Sequence, residues 1–171
     1  MGEPIHGQIE APADEFPVSV VMERRQVSGN RWITESWDAV GVTLGDLPGP
    51  GPAEPRLLVE GPQAAQYLWT GLKVRLYPDE AESYYHNLMV GSPGCYVLVR
   101  PREDGMPRPA LVTLSFDAGQ AYQEGGETVY NVPLPPPLYR AAEAFVLAHY
   151  CPEQRRKRQL TDWTEDGHAG H

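Results

Sequence analysis

Cysteine is scarce in this chain of 171 residues, where only Cys95 and Cys151 occur. Two cysteines do not make the disulfide framework of a small secreted domain, so we expect free thiols in a reducing compartment. Long apolar runs are missing too, because no segment approaches the roughly 20 apolar residues of a membrane-spanning helix. Residues 1–15 carry acids and prolines where a signal peptide would have bases and an apolar run. These absences predict a cytoplasmic protein without a membrane span.

Basic residues are outnumbered by acidic ones, 14 against 23, which gives a formal net charge of −9. An acidic protein repels phosphate backbones, so we do not expect it to bind nucleic acid in general. Residues 1–15 hold acids, prolines and few apolar groups, which predicts a flexible acidic arm. Residues 153–171 are predicted to form a polar tail, and the chain between them, 16–152, is long enough for a single domain.

The motifs of common enzymes are also absent, since the sequence contains no Walker loop, GxGxxG, CxxC, HExxH or GxSxG. His86 and His149 have no recognisable partner for acid–base catalysis, and His168 with His171 would make only half of a zinc site. The three carboxylates within residues 79–82 are typical of a solvated turn. We therefore predict that the protein is not an enzyme and has no cofactor, no catalytic residues and no metal site.

Glycine and proline, in contrast, are abundant, with 17 and 18 residues, and this disfavours long helices over most of the chain. The stretch 45–55, GDLPGPGPAEP, predicts an exposed loop. A helical turn is predicted within 62–70. Between turn signals lie short segments that favour strands: 16–25, 31–43, 56–61, 72–77, 82–90, 95–100 and 110–116.

Two helices are predicted in the C-terminal part. Asp117 can cap a short helix that runs to Tyr122 and ends at the following glycines. A longer helix is predicted over 138–150, where an apolar stripe should lie on the sheet. The fold class is therefore mainly β with a C-terminal α-helix. We expect an antiparallel sandwich or small barrel of about seven strands closed by that helix, and a pleckstrin-like topology is one form that it could take.

Exposed aromatic residues beside arginine are typical of protein interfaces. If 82–90 is a strand, neighbouring Tyr84 and Tyr85 face opposite ways, so one of them is exposed. The consecutive bases near the C-terminus could contact an acidic partner, although they also suit the end of a helix. The candidate partner contacts are Trp37, Tyr85, Arg155, Arg156, Lys157 and Arg158. The alternative is a module for an anionic small molecule, such as a pterin or nucleotide, bound by Arg24, Arg25, Arg75 and Arg100.

Several segments together resemble a proteobacterial domain family of unknown function. They are FPVSVVMERR, NRWITESWDAVGV, LKVRLYPDEAESYYHNL, ALVTLSFDAGQAYQEGGE, and a VPLPPPL helix that ends in HYCPE. The resemblance covers about residues 16–153. The resemblance implies that the segment with the pattern RLxxDEAExYYxNL forms a hairpin.

The resemblance implies a biological setting but no residue roles. Family members are commonly encoded beside genes for molybdopterin-dependent formate dehydrogenase and its maturation, and some carry a label of molybdopterin-guanine dinucleotide biosynthesis. The glycine-rich loop that a guanylyltransferase needs is absent here. The expected function is therefore that of a non-catalytic accessory protein that binds a partner protein, namely formate dehydrogenase or one of its maturation factors.

Overall fold

A computed structural model describes residues 13–150 of the chain. In this part, seven antiparallel strands form two sheets, and three helices complete the fold. The sheets do not close into a barrel, so the predicted mainly β class is confirmed and the sandwich is the form that it takes. The strands are β1 (Glu15–Gln26), β2 (Glu35–Leu44), β3 (Arg56–Glu60), β4 (Ala64–Arg75), β5 (Gly94–Pro101), β6 (Pro107–Thr113) and β7 (Thr128–Pro133). The helices are α1 (Ala81–Met89), α2 (Phe116–Glu124) and α3 (Pro136–His149).

The core lies between the two sheets. Sheet A has the strand order β2-β1-β4-β3, and sheet B has the order β6-β5-β7. The alternation predicted for β1 is confirmed, because Val18, Val20 and Met22 are all buried on its inner face. Val97 of β5 and Val112 of β6 are buried in the same cluster. Each such side chain removed from water contributes about 1.5–3 kcal/mol, so the alternation fixes which face of the strand points inward.

Helices α1 and α3 pack against each other at one end of the sandwich. The rings of Tyr84 in α1 and Phe145 in α3 meet edge to face, with 6.0 Å between their centroids. Leu138, Ala142 and Phe145 are buried on the inner side of α3, which confirms most of the predicted stripe. Ala148, which the stripe also includes, is exposed.

Residues 62–70 do not form the predicted helical turn, because most of them belong to the long strand β4. The alternation of β4 is reset by a bulge at Thr70 and Gly71, opposite Ser19 of β1. Gly71 has a φ of +74°, a conformation that side chains with a Cβ rarely adopt. The bulge bends β4 and allows one strand to pair along the whole length of β1.

Residues 82–90, predicted as a strand, form helix α1, so the expected hairpin in this segment is wrong. A 3₁₀ turn at Pro78–Glu80 leads into the helix, and its acids lie at the positive end of the helix dipole. Ala81, Tyr84 and Leu88 recur at helical spacing, and all three are buried.

After β6 the chain forms α2 and then β7. Ser115, and not Asp117, is the N-cap of α2, since its side chain accepts a hydrogen bond of 3.1 Å from the N–H of Ala118. The predicted strand at 110–116 therefore ends at Thr113. Strand β7 was not predicted, and it pairs with β5 to complete sheet B.

The loop 45–55 is irregular and mostly exposed, as predicted. It is tied to the sandwich at several points. The N–H of Gly51 donates to Oγ1 of Thr70 at 3.2 Å, and Nη1 of Arg102 donates to the carbonyl oxygen of Ala53 at 3.3 Å and to Oε2 of Glu54 at 3.1 Å.

The predicted arm and tail lie almost entirely outside the described residues. Of the arm, Glu15 already belongs to β1, and the carbonyl oxygen of Asp14 accepts a hydrogen bond of 2.7 Å from the N–H of Leu76. No helix within residues 13–150 is long and apolar enough to cross a bilayer.

Candidate functional site

The structure separates the residues that were predicted to contact a partner. Trp37 lies in β2, near the end of β1 that carries Arg24. Tyr85 lies in α1, a helix that follows the other end of the sheet, where Phe16 pairs with Val74. Arg24 lies eight positions after Phe16 in β1, a distance of about 26 Å along a strand. Arg155, Arg156, Lys157 and Arg158 lie outside the described residues.

Trp37 belongs to an aromatic cluster on the inner face of sheet A. The register places Trp37 of β2 and Ala65 of β4 on either side of Arg24. The ring of Tyr67 lies 5.7 Å from the ring of Trp37, and the guanidinium carbon of Arg24 lies 5.9 Å from the Tyr67 centroid. These three side chains lie on the same face of sheet A as the buried Met22. They are half-buried, so they form the boundary between the core and solvent.

Tyr130 of β7 joins this cluster from sheet B. Its hydroxyl donates a hydrogen bond of 3.1 Å to the backbone carbonyl of Trp37, which links the edge strands of the two sheets. Burial raises the pKa of Tyr130, and the nearby carboxylate of Asp38 raises it further. The hydroxyl therefore stays protonated and remains a donor at neutral pH. We call Arg24, Trp37, Tyr67 and Tyr130 the aromatic rim.

Arg24 is the charged member of the aromatic rim. Within residues 13–150 it has no ion pair and no hydrogen bond through its side chain, whereas the neighbouring Arg25 is paired with Glu23. An arginine held over an aromatic face without a carboxylate partner keeps its donors available. All four side chains of the rim are half-buried, so they are ordered by packing and still reach solvent.

The tips of two hairpins extend the aromatic rim. The N–H of Gln26 donates to the carbonyl of Gln63 at 2.8 Å, which holds the β1–β2 and β3–β4 hairpins together. At the first tip Trp32 is 87% exposed and Ile33 is 51% exposed. On the edge strand β3, three successive apolar side chains are also exposed: Leu57, Leu58 and Val59. Large exposed apolar surface of this kind marks interaction sites in soluble proteins.

Tyr85 has a different environment on the helical end of the molecule. Its ring lies 4.9 Å from the ring of Tyr150, directly after α3, and 5.5 Å from the ring of His86. It is half-buried rather than exposed. The expectation that either Tyr84 or Tyr85 is exposed is wrong, because it holds only for a strand. In helix α1, Tyr84 is buried and Tyr85 packs beside it.

The arginines of the small-molecule hypothesis do not converge on one pocket. Arg24 and Arg25 are neighbours on β1 and point to opposite faces. Arg75 lies over the ring of Tyr77 at 5.4 Å, and Arg100 forms an ion pair with Glu127 at 3.0 Å. Each therefore has its own local contact.

Several candidate reactive groups within residues 13–150 are buried or engaged with neighbours. Burial raises the pKa of the Cys95 thiol to about 12, so it is not a nucleophilic thiolate at neutral pH. Of the three carboxylates at 79–82, that of Glu80 accepts a hydrogen bond of 3.0 Å from the hydroxyl of Tyr84, and that of Glu82 lies 3.6 Å from Nε2 of His86. Within residues 13–150, no three His, Cys, Asp or Glu side chains are grouped so that they could hold a metal ion.

Of the aromatic members of the rim, the sequence predicts only Trp37 as a partner contact. Tyr67 falls in the predicted helical turn, and Tyr130 lies outside the predicted strands. The available signal was the alternation of Ala65, Tyr67 and Trp69, which puts all three on the inner face of β4.

The family comparison agrees with the extent of this domain. Residues 17–159 match the model of a family described as a protein of unknown function (DUF3305). No curated protein and no solved structure matches the chain. The match covers more than four fifths of the chain and begins within β1. The chain therefore belongs to the DUF3305 family.

Proposed function

We propose that the protein is a non-catalytic accessory factor that binds a partner protein through the aromatic rim and the adjacent hairpin tips. The observation that supports this most is the exposure of Trp32 at the tip of the hairpin whose strands carry Trp37 and the unpaired Arg24. Tryptophan, tyrosine and arginine are the residues that most often dominate binding energy at protein interfaces. Arg24, Trp37 and Tyr67 lie on strands whose register holds them in place, so binding would order few of these side chains.

The expected partner is a molybdopterin-dependent formate dehydrogenase or one of its maturation factors. What supports this identity is the resemblance of the sequence segments to a family that is encoded beside those genes. The partner should present an apolar surface with a carboxylate that can meet Arg24, because a buried arginine needs an acceptor.

Affinity purification from the native host tests both parts of the proposal. The full chain, a Trp32→Ser variant and a Leu147→Ser control are used as bait, and captured proteins are identified by mass spectrometry. Leu147 is 79% exposed on α3, so the control removes a comparable apolar side chain elsewhere. We expect formate dehydrogenase or a maturation factor with the wild-type and control baits. Loss of an anchor of this kind typically costs ~2 kcal/mol, so the Trp32 variant should bind about 30-fold more weakly.

A deletion strain gives the second readout. We expect less active formate dehydrogenase while the amount of its polypeptide changes less. If neither protein is captured and enzyme maturation is normal without this chain, the proposed setting is wrong. If the partner is captured equally by the Trp32 variant, the proposed surface is wrong while the partner assignment stands.

A further inference from the structure

A second surface, at the helical end of the molecule, carries an inference that is independent of the aromatic rim. A groove with a volume of about 320 Å³ lies between the end of α1, the start of β5 and the first turn of α2. Its apolar lining includes Val90, Tyr96 and Phe116, and the rings of Tyr96 and Phe116 meet edge to face at 6.1 Å. Phe116 is 45% exposed there.

Two glycines shape the groove. The ring of Tyr96 lies so close to Gly119 of α2 that a Cβ at this position would be 3.0 Å from the ring. A Cβ on Gly94 would lie 2.1 Å from Oδ1 of Asn131, whose side chain also lines the groove. Close packing at these two glycines therefore shapes the groove.

The edge of the groove that is formed by α1 and α2 carries acidic residues. Glu82 lies 3.6 Å from His86, which lines the groove, and Asp117 follows Phe116 directly. The N–H of Asp117 donates to Oγ of Ser83 at 3.2 Å, which brings the start of α2 against α1. Both carboxylates are on exposed residues, and among residues 13–150 no arginine or lysine lines the groove.

We propose that residues 151–171 of the same chain bind this groove. The described chain ends at Tyr150, whose ring lies against Tyr85, next to His86 at the edge of the groove. The following segment, CPEQRRKRQLTDWTEDGHAGH, has four consecutive bases and then Leu160 and Trp163. The bases complement Glu82 and Asp117, and the apolar side chains suit the aromatic lining.

Connectivity favours this segment over a separate molecule. A segment attached within a few residues of its site has an effective concentration in the millimolar range, so even weak contacts suffice. If fully extended, five to eight residues span about 17–28 Å, which sets how far from Tyr150 the four bases can reach. The family match also continues through Gln159, so the basic run belongs to the family domain.

Photocrosslinking in the full chain tests the proposal. The variant Phe116→p-benzoylphenylalanine places a crosslinker in the groove and retains an aromatic side chain. The matched control is Leu147→p-benzoylphenylalanine, on the exposed side of α3. After irradiation of a mixture of ¹⁴N- and ¹⁵N-labelled protein, mass spectrometry separates crosslinks within one chain from those between chains. We expect position 116, and not position 147, to crosslink within the chain to residues 159–164.

Variants of the segment supply the second measurement. Changing both Leu160 and Trp163 to serine should lower the crosslink yield about 10-fold, because the apolar contacts are lost. Replacing the four bases of 155–158 by glutamate should lower it similarly, and more strongly at low salt than at high salt. Crosslinks only between chains would assign the groove to a second copy and overturn the proposal. Absence of any crosslink to 151–171, or a yield unchanged by both sets of variants, would overturn it as well.

Discussion

Asn87 holds both backbone polar groups of Gly94. Its Nδ2 donates to the carbonyl oxygen of Gly94 at 2.8 Å, and the N–H of Gly94 donates to its Oδ1 at 3.0 Å. The same Nδ2 donates to the carbonyl of Leu114 at 2.9 Å. One buried amide thus connects α1 to the first residue of β5 and to the chain just after β6, and it replaces the ladder bonds that are missing where the strands end.

Replacing Asn87 by alanine should be among the most destabilising single changes in the domain. The variant leaves one N–H and two carbonyls without their partner in a buried place, which costs about 3 kcal/mol. Urea denaturation followed by circular dichroism measures this change. The matched control is Asn131→Ala, which removes an exposed amide and should change the free energy of unfolding by less than about 0.5 kcal/mol. Similar losses in both variants would contradict the assigned role of Asn87.

Alanine at position 94 is expected to displace the side chain of Asn131. The added Cβ would lie 2.1 Å from Oδ1 and 2.9 Å from Cγ of that side chain. Because Asn131 is exposed, its terminal amide can rotate toward solvent, so the cost should be ~1 kcal/mol, the low end for overpacking. The double variant Gly94→Ala, Asn131→Ala should recover most of the loss, since the obstructing amide is gone. The measurement is a double-mutant cycle of unfolding free energies, and additive effects would show that the strain has another source.

The segment 64–72 shows why part of sheet A was predicted wrongly. Its buried residues, Ala65, Leu68, Trp69 and Leu72, recur at i, i+3, i+4 and i+7, which is the spacing of a helical face. The cause is the bulge at Gly71. Before it, the residues of β4 that face inward are odd-numbered, as Trp69 is; after it they are even-numbered, as Leu72 is. Leu68 is buried on the other face of the same strand. A single sequence does not reveal a bulge, so nothing in the pattern of residues 62–70 distinguishes the expected helical turn from the strand.

Helix α1 was missed for a related reason. Alternation of Tyr84, His86, Leu88 and Val90 favoured a strand, but Ala81, Tyr84 and Leu88 share a helical face. Over nine residues, the alternation of a strand and the spacing of a helical face fit equally well. The acids after Pro78 suit both the predicted turn and the start of a helix. Strand β1 and its hairpin to β2 were predictable because their alternation is long and ends in clear turn residues. The aromatic rim was predictable only at Trp37, since its other members come together through the register of four strands.

Glu23 is expected to make stability depend on pH. Hydrogen bonds from Gln66 and Arg25 lower the pKa of this carboxyl below its ordinary value. A group whose pKa is lowered on folding contributes stability above its unfolded pKa, about 4.3. That contribution disappears as the pH falls through the folded pKa. The stability difference between the wild type and Glu23→Gln should therefore be constant near neutrality and shrink below about pH 5.

Gln66→Ala provides the companion variant, because the bond from Gln66 is the largest cause of the lowered pKa. In this background the substitution Glu23→Gln should produce a smaller acid-dependent difference in stability. Urea unfolding at a series of pH values measures both. A difference that grows on acidification would have the wrong sign for a stabilised carboxylate and would rule out this role for Glu23.

Cys95 should report on opening of the core. Its side chain is fully buried between the sheets, and burial raises its pKa to about 12. Both effects suppress attack on a disulfide reagent, because the thiolate is the reacting species and must reach solvent. In a Cys151→Ser chain, which leaves one cysteine, native protein should react at least ~1,000-fold more slowly than unfolded protein, as expected for a thiol exposed only by substantial opening.

The variant Asn87→Ala makes this experiment diagnostic. Asn87 bonds to Gly94, the residue before Cys95, so removing it should loosen the start of β5 and accelerate modification of the thiol. The control Asn131→Ala, whose amide lies on the outer face of sheet B, should leave the rate nearly unchanged. The reaction is followed by the absorbance of the released thiolate at neutral pH. Rapid modification in the otherwise native chain would mean that Cys95 is accessible and that the two sheets do not close over it.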